Sequence, residues 1–94
     1  MKADFDSEAN ALSIDLIEAR RWDASLEIDG DFCRVAFERG VAANIELLSP
    51  ADHLDLLEEA SAKAGIEHAL VDAAARSALA APNRLVTIEF SAPA

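Results

Sequence analysis

Two histidines are the side chains of this sequence best suited to metal or acid-base chemistry. Each has acidic neighbours: Asp52 and Asp55 flank His53, while Glu67 and Asp72 lie near His68. Because residues four apart share a helix face, His68 and Asp72 could hold a divalent metal together with a third ligand. The tighter His-Glu-x-x-His motif is absent. Ordinary exposed helix positions are the favoured interpretation, and a small metal-binding protein or hydrolase using His53 or His68 is the alternative hypothesis.

Oxygen-bearing side chains alternate near the N-terminus, at Asp4, Asp6, Glu8 and Asn10. Calcium loops also place ligands at every second position, but they need a Gly at position six and a Glu at position twelve. Ala9 and Asp15 stand at those places if Asp4 is first. We therefore expect Asp6 and Asn10 to cap a turn, as short polar side chains do.

Cys33 is the only cysteine, so the chain can form neither an internal disulfide nor a multi-cysteine zinc site. The adjacent Arg34 could activate a thiolate. Neighbouring residues of a strand point to opposite faces, however, which favours Cys33 as a small buried apolar residue. Nucleophile motifs and glycine-rich phosphate loops are also missing. We expect a protein that is not an enzyme and carries no cofactor.

Composition indicates one small acidic domain spanning residues 1–94. Acidic side chains outnumber basic ones 18 to 8, for a formal net charge of -10, and 52% of the residues are hydrophobic. That apolar content argues against disorder, and the charge argues against direct nucleic-acid binding. The sequence has no membrane-spanning apolar run, and its start is too acidic for a secretion signal. We expect a cytoplasmic protein.

The hydrophobic period changes near residue 49, which predicts an α+β fold. Residues 1–48 alternate as an antiparallel β-meander of about five strands, at 2–5, 11–16, 24–28, 32–38 and 43–47. Residues 49–81 predict two helices packed on one face of the sheet, and residues 84–91 predict a final strand.

Local signals predict where the elements begin and end. Asp29-Gly30 and Arg39-Gly40 are typical of turns between antiparallel strands. Ser49 is predicted as a helix N-cap with Pro50 at the first helical position, and Gly65 as a helix terminator.

Strand parity predicts one apolar and one polar face of the sheet. The residues expected beneath the helices are Leu12, Ile14, Leu16, Leu26, Ile28, Val35, Phe37, Ile45, Leu47, Val86, Ile88 and Phe90. The residues expected on the solvated face are Ser13, Asp15, Ser25, Glu27, Arg34, Asn44, Glu46, Thr87 and Glu89.

Two surfaces could bind a partner. Arg20, Arg21 and Trp22 lie in a connector, and Arg and Trp are enriched at interface hot spots. Packing of Trp22 across the end of the sheet is the competing interpretation. The second surface is acidic and would attract a basic protein; it comprises Asp15, Glu27, Glu46 and Glu89. Open strand edges also favour a homodimer. The main hypothesis is an interaction module that binds itself or a basic protein.

Two segments are similar to a known family: Met1-Lys2-Ala3-Asp4-Phe5-Asp6-Ser7-Glu8-Ala9-Asn10-Ala11-Leu12-Ser13-Ile14 and Gly40-Val41-Ala42-Ala43-Asn44-Ile45-Glu46-Leu47-Leu48. Residues 1–48 thereby resemble the bacterial and archaeal domain of unknown function family numbered 2283. Asn44 stands where that family has Gly, and Asn tolerates the positive φ that a glycine allows. The resemblance implies an antiparallel sheet followed by helix. It also implies an antitoxin-like partner role, because the family's genes are sometimes seen beside suspected toxin genes.

Overall fold

The computed structural model describes residues 1–19 and 21–88, and in that part of the chain it contains six strands and three helices. The strands are β1 (Lys2–Asp6), β2 (Ala11–Asp15), β3 (Ala24–Ile28), β4 (Cys33–Glu38), β5 (Val41–Leu48) and β6 (Val86–Thr87). The helices are α1 (Pro50–His53), α2 (Leu56–Ala64) and α3 (His68–Ala80). The predicted Phe90 of the last strand lies outside the described residues.

All strand pairs are antiparallel, and the strand order is β3-β4-β5-β2-β1-β6. The predicted α+β class is confirmed. The order differs from a simple meander at one point, because β2 pairs with β5 and β3 lies at the far edge. Leu12 and Ile14 of β2 thereby lie opposite Leu47 and Ile45 of β5, which continues one apolar layer across the centre of the sheet.

The core lies between one face of the sheet and helices α2 and α3. Its fully or nearly buried sheet residues are Ala3, Leu12, Ile14, Ile28, Cys33, Val35, Ile45 and Leu47, and its helical residues are Leu57, Ala60, Val71, Ala74, Ala75 and Ala78. The alanine-rich side of α3 packs close to β1 and β2 because its side chains are small. Leu26 was expected in this layer, but it is 40% exposed because β3 is the edge strand.

The two short turns are confirmed by their backbone angles. Asp29 and Gly30 both have positive φ, at 52° and 68°, and Arg39 and Gly40 have φ of 51° and 79°. Such paired left-handed residues match the right-handed twist of the strands that they join. These turns place β3, β4 and β5 side by side.

The loop between β1 and β2 uses its polar side chains for turn capping, as expected. The Asp6 carboxylate accepts hydrogen bonds from the backbone N–H groups of Glu8 and Ala9, at 3.0 and 3.1 Å. Asn10 takes the left-handed conformation, with φ of 53°. Asp6 and Asn10 of the alternating pattern therefore serve the hairpin turn.

The helix predicted after Ser49 is divided into α1 and α2. Ser49 precedes α1 with φ of 46° and makes no side-chain capping hydrogen bond, so its predicted N-cap chemistry is wrong. Its Oγ instead accepts a hydrogen bond from Asn10 Nδ2 at 3.3 Å, which ties the end of β5 to the first hairpin. Gly65 ends α2 with φ of 73°, as predicted. None of the helices in the described ranges is long and apolar enough to cross a membrane.

Candidate partner-binding surface

The side of the sheet that faces away from α2 and α3, here called the open face, is predominantly acidic. Strand alternation and register place the following residues on it: Lys2, Asp4, Asp6, Ser13, Asp15, Ser25, Glu27, Arg34, Ala36, Glu38, Asn44, Glu46 and Thr87. Lys2 and Arg34 are the basic members, against six carboxylates. The resulting negative field would favour the approach of a cationic partner.

Arg34 interrupts the acidic surface near the β3 edge. In the register of the sheet it lies opposite Glu27 on one side and opposite Glu46 on the other. Its guanidinium forms an ion pair with Glu27 at 3.4 Å, and both side chains are about half exposed, at 47% and 50%. An exposed pair of this kind contributes only about 0–1 kcal/mol to stability. Arg34 therefore mainly reduces the local charge, and Asp15 and Glu46 remain as acidic groups nearer the centre.

Asn44 is buried at the centre of the open face, although strand parity predicted a solvated residue. Only 2% of it is exposed, and its Nδ2 donates to Ser13 Oγ at 2.9 Å and to Asp15 Oδ1 at 2.8 Å. It lies within β5 and is absent from the residues with positive φ, so the expectation of a glycine-like conformation is wrong. Asn suits this position because its side-chain amide forms these two hydrogen bonds, and not because of its backbone conformation.

The connector between β2 and β3, described at residues 16–19 and 21–23, crosses the end of the sheet because these two strands are not neighbours. Backbone hydrogen bonds hold it at both ends: Leu16 N–H donates to the Ala43 carbonyl at 2.8 Å, and Asp23 N–H donates to the Phe37 carbonyl at 3.0 Å. The Asp23 carboxylate also accepts from Arg39 N–H at 2.9 Å. The connector is therefore attached to the rim of the sheet on either side of Trp22.

Trp22 lies where the connector meets the open face. It is 50% exposed. On one side it lines a pocket of about 600 Å³ with Leu16, Ile17 and Asp15. On the other side it lines a shallower depression of about 320 Å³ with residues of the open face, namely Ser25, Arg34 and Ala36. A third cavity, of about 610 Å³, is lined by Trp22 together with Arg21, Asp23, Glu38 and Arg39. A half-exposed indole beside these cavities can offer an apolar surface to an incoming side chain.

The pocket that Trp22 lines with Leu16 and Ile17 combines apolar walls with charges of both signs. Glu18 and Lys2, which both line it, form an ion pair at 3.8 Å, and Arg21 also lines it. Ile17, on the same connector, is 41% exposed. The pocket therefore suits a long side chain with an apolar stem and a charged end, such as Lys or Arg.

His53 stabilises the junction between β5 and α1, a role that the sequence did not indicate. Its Nδ1 lies 3.1 Å from the Leu48 carbonyl and 3.0 Å from the Ser49 carbonyl, so Nδ1 carries the proton and donates. The ring also stacks on Phe32, with centroids 4.1 Å apart. His53 thereby joins α1 to the β3-β4 turn, and it is half-buried where an exposed position was expected.

His68 and Asp72, the pair considered for metal binding, do not form a site together. His68 is exposed at the start of α3, as expected, and Asp72 accepts a hydrogen bond from Arg76 Nε at 2.8 Å. Across residues 1–19 and 21–88, no three His, Cys, Asp or Glu side chains are grouped so that they could hold a metal ion.

Cys33 is buried in the core, as predicted, and is only 1% exposed. Burial, aided by the negative charge of Glu59 on α2, raises the pKa of the Cys33 thiol to about 11. The neighbouring Arg34 points to the opposite face of β4. Cys33 is therefore protonated near neutral pH and serves as an apolar core residue.

The structure brings together most of the residues predicted for partner binding. Asp15, Glu27 and Glu46 share the open face, and Arg21 and Trp22 lie on the connector at its rim. Arg20 and Glu89 lie outside the described residues. Sequence reasoning missed the contributions of Ile17, Ala36 and Asn44, because each depends on where the connector crosses and on which strands are neighbours.

Comparisons of the chain with protein families, with curated proteins and with solved structures found no match.

Proposed function

We propose that the protein is a non-enzymatic, cytoplasmic interaction module whose open face binds a basic segment of a partner protein. The observation that carries this proposal is the position of Trp22. This half-exposed indole stands at the rim of a predominantly acidic sheet surface and lines three concavities. An aromatic anchor beside carboxylates is the combination that recognises an Arg or Lys side chain.

The charge of the open face supports a cationic partner. Six carboxylates share this surface with Lys2 and Arg34, and the chain as a whole has a formal net charge of -10. Complementary charge raises the rate of encounter and lowers the affinity for acidic competitors. The likeness of residues 1–48 to family 2283 is compatible with this proposal, since suspected toxin partners tend to be basic.

The arrangement of titratable groups supports a role in binding over a role in catalysis. The Nδ1 proton of His53 is donated to backbone carbonyls, Asp72 is bound by Arg76, and Cys33 is buried and protonated. A hydrolase would need a base or metal poised beside a substrate pocket. The pocket at Trp22 contains Asp15, Glu18, Lys2 and Arg21, which are groups suited to charge recognition.

Titration with an Arg-Ser repeat peptide tests the proposal, and a Glu-Ser repeat peptide is the control. The chain has one Trp and no Tyr, so its intrinsic fluorescence reports on Trp22 directly. We expect the basic peptide to change the emission in a saturable way and to bind more weakly as salt is added, because exposed charge pairs are screened. The acidic peptide should leave the emission unchanged.

Matched charge removals locate the binding surface. Glu46→Gln removes a carboxylate from the open face, while Glu58→Gln removes one from the exposed side of α2. One exposed charge pair contributes about 0.5–1 kcal/mol, so we expect Glu46→Gln to weaken binding of a labelled Arg-Ser peptide by roughly two- to fivefold. Glu58→Gln should have no comparable effect. Equal weakening by both variants would mean that the peptide senses only net charge, and the proposal would be wrong.

A further inference from the structure

We propose that the outer edge of β3 pairs with β3 of a second copy of this chain, antiparallel and with Leu26 opposite Leu26. The resulting homodimer would continue the sheet from six strands to twelve across a two-fold axis. This proposal is independent of the proposed function, because pairing uses the backbone edge of β3 and involves only Ser25 and Glu27 among the residues of the open face.

The β3 edge is exposed and has few features that prevent pairing. Within the described residues, β3 ends the strand order and has β4 on one side only. Four of its five residues are exposed, and the fifth is Ile28. Native edge strands are usually protected by Lys, Pro, bulges or inward-pointing charges. The segment Ala24-Ser25-Leu26-Glu27-Ile28 contains one charged residue, Glu27, and no Lys or Pro, and its pairing with β4 has no bulge.

The sequence of β3 is complementary to itself in this register. With Leu26 on the two-fold axis, Ala24 lies opposite Ile28 of the second copy on the side of the helices, next to the leucine pair. On the open face, Ser25 lies opposite Glu27 of the second copy, so a hydroxyl meets a carboxylate twice. Leu26 is 40% exposed in the single chain, and the pairing would cover it.

Repulsion between two acidic copies should weaken the dimer at low salt, and screening of this repulsion should strengthen the dimer at high salt. Glu27 of one copy would lie diagonally across from Glu27 of the other, about 7–8 Å away between backbones. Arg34 of the same chain, 3.4 Å from Glu27, offsets part of this repulsion. Each copy also has a formal net charge of -10. Since a five-residue edge buries much less than the roughly 800 Å² per partner of standard interfaces, we expect a micromolar dissociation constant that falls as salt screens the repulsion.

Sedimentation equilibrium at several protein and salt concentrations measures this association. Ser25→Lys would place a cation opposite Glu27 of the second copy, and Ser25→Glu would place a like charge there. Each of these pairs occurs twice in the dimer. We therefore expect the dissociation constant to fall roughly tenfold for Ser25→Lys and to rise roughly tenfold for Ser25→Glu. Within one chain, position 25 is diagonal to Arg34 across β3 and β4 and two residues from Glu27 on the same face of β3, so the effects of these two opposite charges partly cancel. Urea unfolding of each variant, measured alongside, separates a change in folding stability from the expected order of affinities.

A cysteine at position 26 tests the register. Residues directly opposite in an antiparallel pair have Cβ atoms about 4.5–5.5 Å apart. Mild oxidation with diamide should therefore join two copies of a Leu26→Cys variant by a disulfide. The native thiol serves as an internal control, because Cys33 is buried and its pKa is raised to about 11, so the unaltered protein should not cross-link.

The outcomes separate this proposal from the proposed function. A protein that remains monomeric at hundreds of micromolar and high salt would overturn the dimer, as would a dimer whose affinity is unchanged by both Ser25 substitutions. Neither result would affect binding of the Arg-Ser peptide to the open face. Conversely, cross-linking of Leu26→Cys with no peptide binding would support the dimer and contradict the proposed function.

Discussion

Replacing Asn44 by Ala should cost the fold about 2 kcal/mol. Asn44 is 2% exposed, and its amide donates at 2.9 Å to Ser13 Oγ and at 2.8 Å to Asp15 Oδ1. A neutral hydrogen bond contributes about 1 kcal/mol net, and one to a charged group about 1.5–3 kcal/mol. Because Asp15 is exposed, water can replace the lost donor, so this hydrogen bond is taken at about 1 kcal/mol, the same as the neutral one, for a total of about 2 kcal/mol.

Urea unfolding followed by circular dichroism measures this change. For a domain of this size, a loss of about 2 kcal/mol lowers the melting temperature by roughly 10 °C. A double-mutant cycle with Asp15→Ala should give a coupling of about 1 kcal/mol between positions 15 and 44. The matched cycle uses Asp4→Ala, which removes a carboxylate of the same face that does not accept from Asn44, and it should be additive within about 0.5 kcal/mol.

A loss below about 0.5 kcal/mol for Asn44→Ala would refute the reasoning, because it would mean that the two hydrogen bonds contribute nothing net. Equal coupling of Asn44 with Asp15 and with Asp4 would also refute it. In that case general electrostatics of the acidic face, and not the specific contact between β5 and β2, would set the stability.

Three further outcomes are expected. The free energy of unfolding should fall between about pH 9 and pH 11, because the unfolded chain loses the Cys33 proton near the ordinary thiol pKa of 9.0 while the folded chain keeps it to about 11. Cys33→Ala should remove this decline, and an unchanged pH profile would contradict the buried thiol. Gly30→Ala should lower the free energy of unfolding by about 1 kcal/mol, as measured by thermal unfolding, because φ at this position is 68°. The added methyl group has no neighbour within 4 Å, so the cost comes from the backbone conformation alone, and Gly30→Asn should cost less because Asn tolerates a positive φ. Zinc or manganese should leave the melting temperature unchanged; a rise that His53→Ala or His68→Ala abolishes would revive the metal-binding alternative.

Local chemistry made much of the fold predictable. The alternation of apolar residues placed the strands to within a few residues, and Asp29-Gly30 and Arg39-Gly40 turned the chain where expected, because left-handed residue pairs depend on their own side chains. The end of α2 at Gly65 has the same cause. Each of these features depends on interactions within a few residues of the chain.

The order of the strands could not be predicted in the same way. A sheet in which β2 pairs with β3 and one in which β2 pairs with β5 bury the same alternate residues, so hydrophobic parity does not distinguish them. The pairing of β2 with β5 decides that the described residues of the connector cross the rim, and hence that Trp22 lies beside the open face. The candidate residues were therefore found from their types, whereas their common location came from the topology.

Ser49, His53 and Asn44 show the same limit at single residues. Ser49 has the type and position of an N-cap, but its left-handed backbone turns the chain out of β5. Its hydroxyl accepts a hydrogen bond from Asn10 and does not cap the helix. His53 donates to the end of β5 and stacks on a ring from the β3-β4 turn. Asn44 is buried between the neighbouring strands β2 and β4, and its amide donates to Ser13 and Asp15 of β2. Each role depends on neighbours distant along the chain.

By itself, the sequence determined the acidic charge, the alternating strands, the alanine-rich helical layer, the turn positions and the inert buried cysteine. All of these follow from side-chain type and short-range spacing, which act before any distant segments meet. The tertiary structure alone decided which strands are neighbours, which edge stays unpaired within the described residues, and which carboxylates share a surface with Trp22. The reason is physical: hydrophobic burial specifies which side of a strand faces inward, but only specific contacts between distant segments select its neighbours.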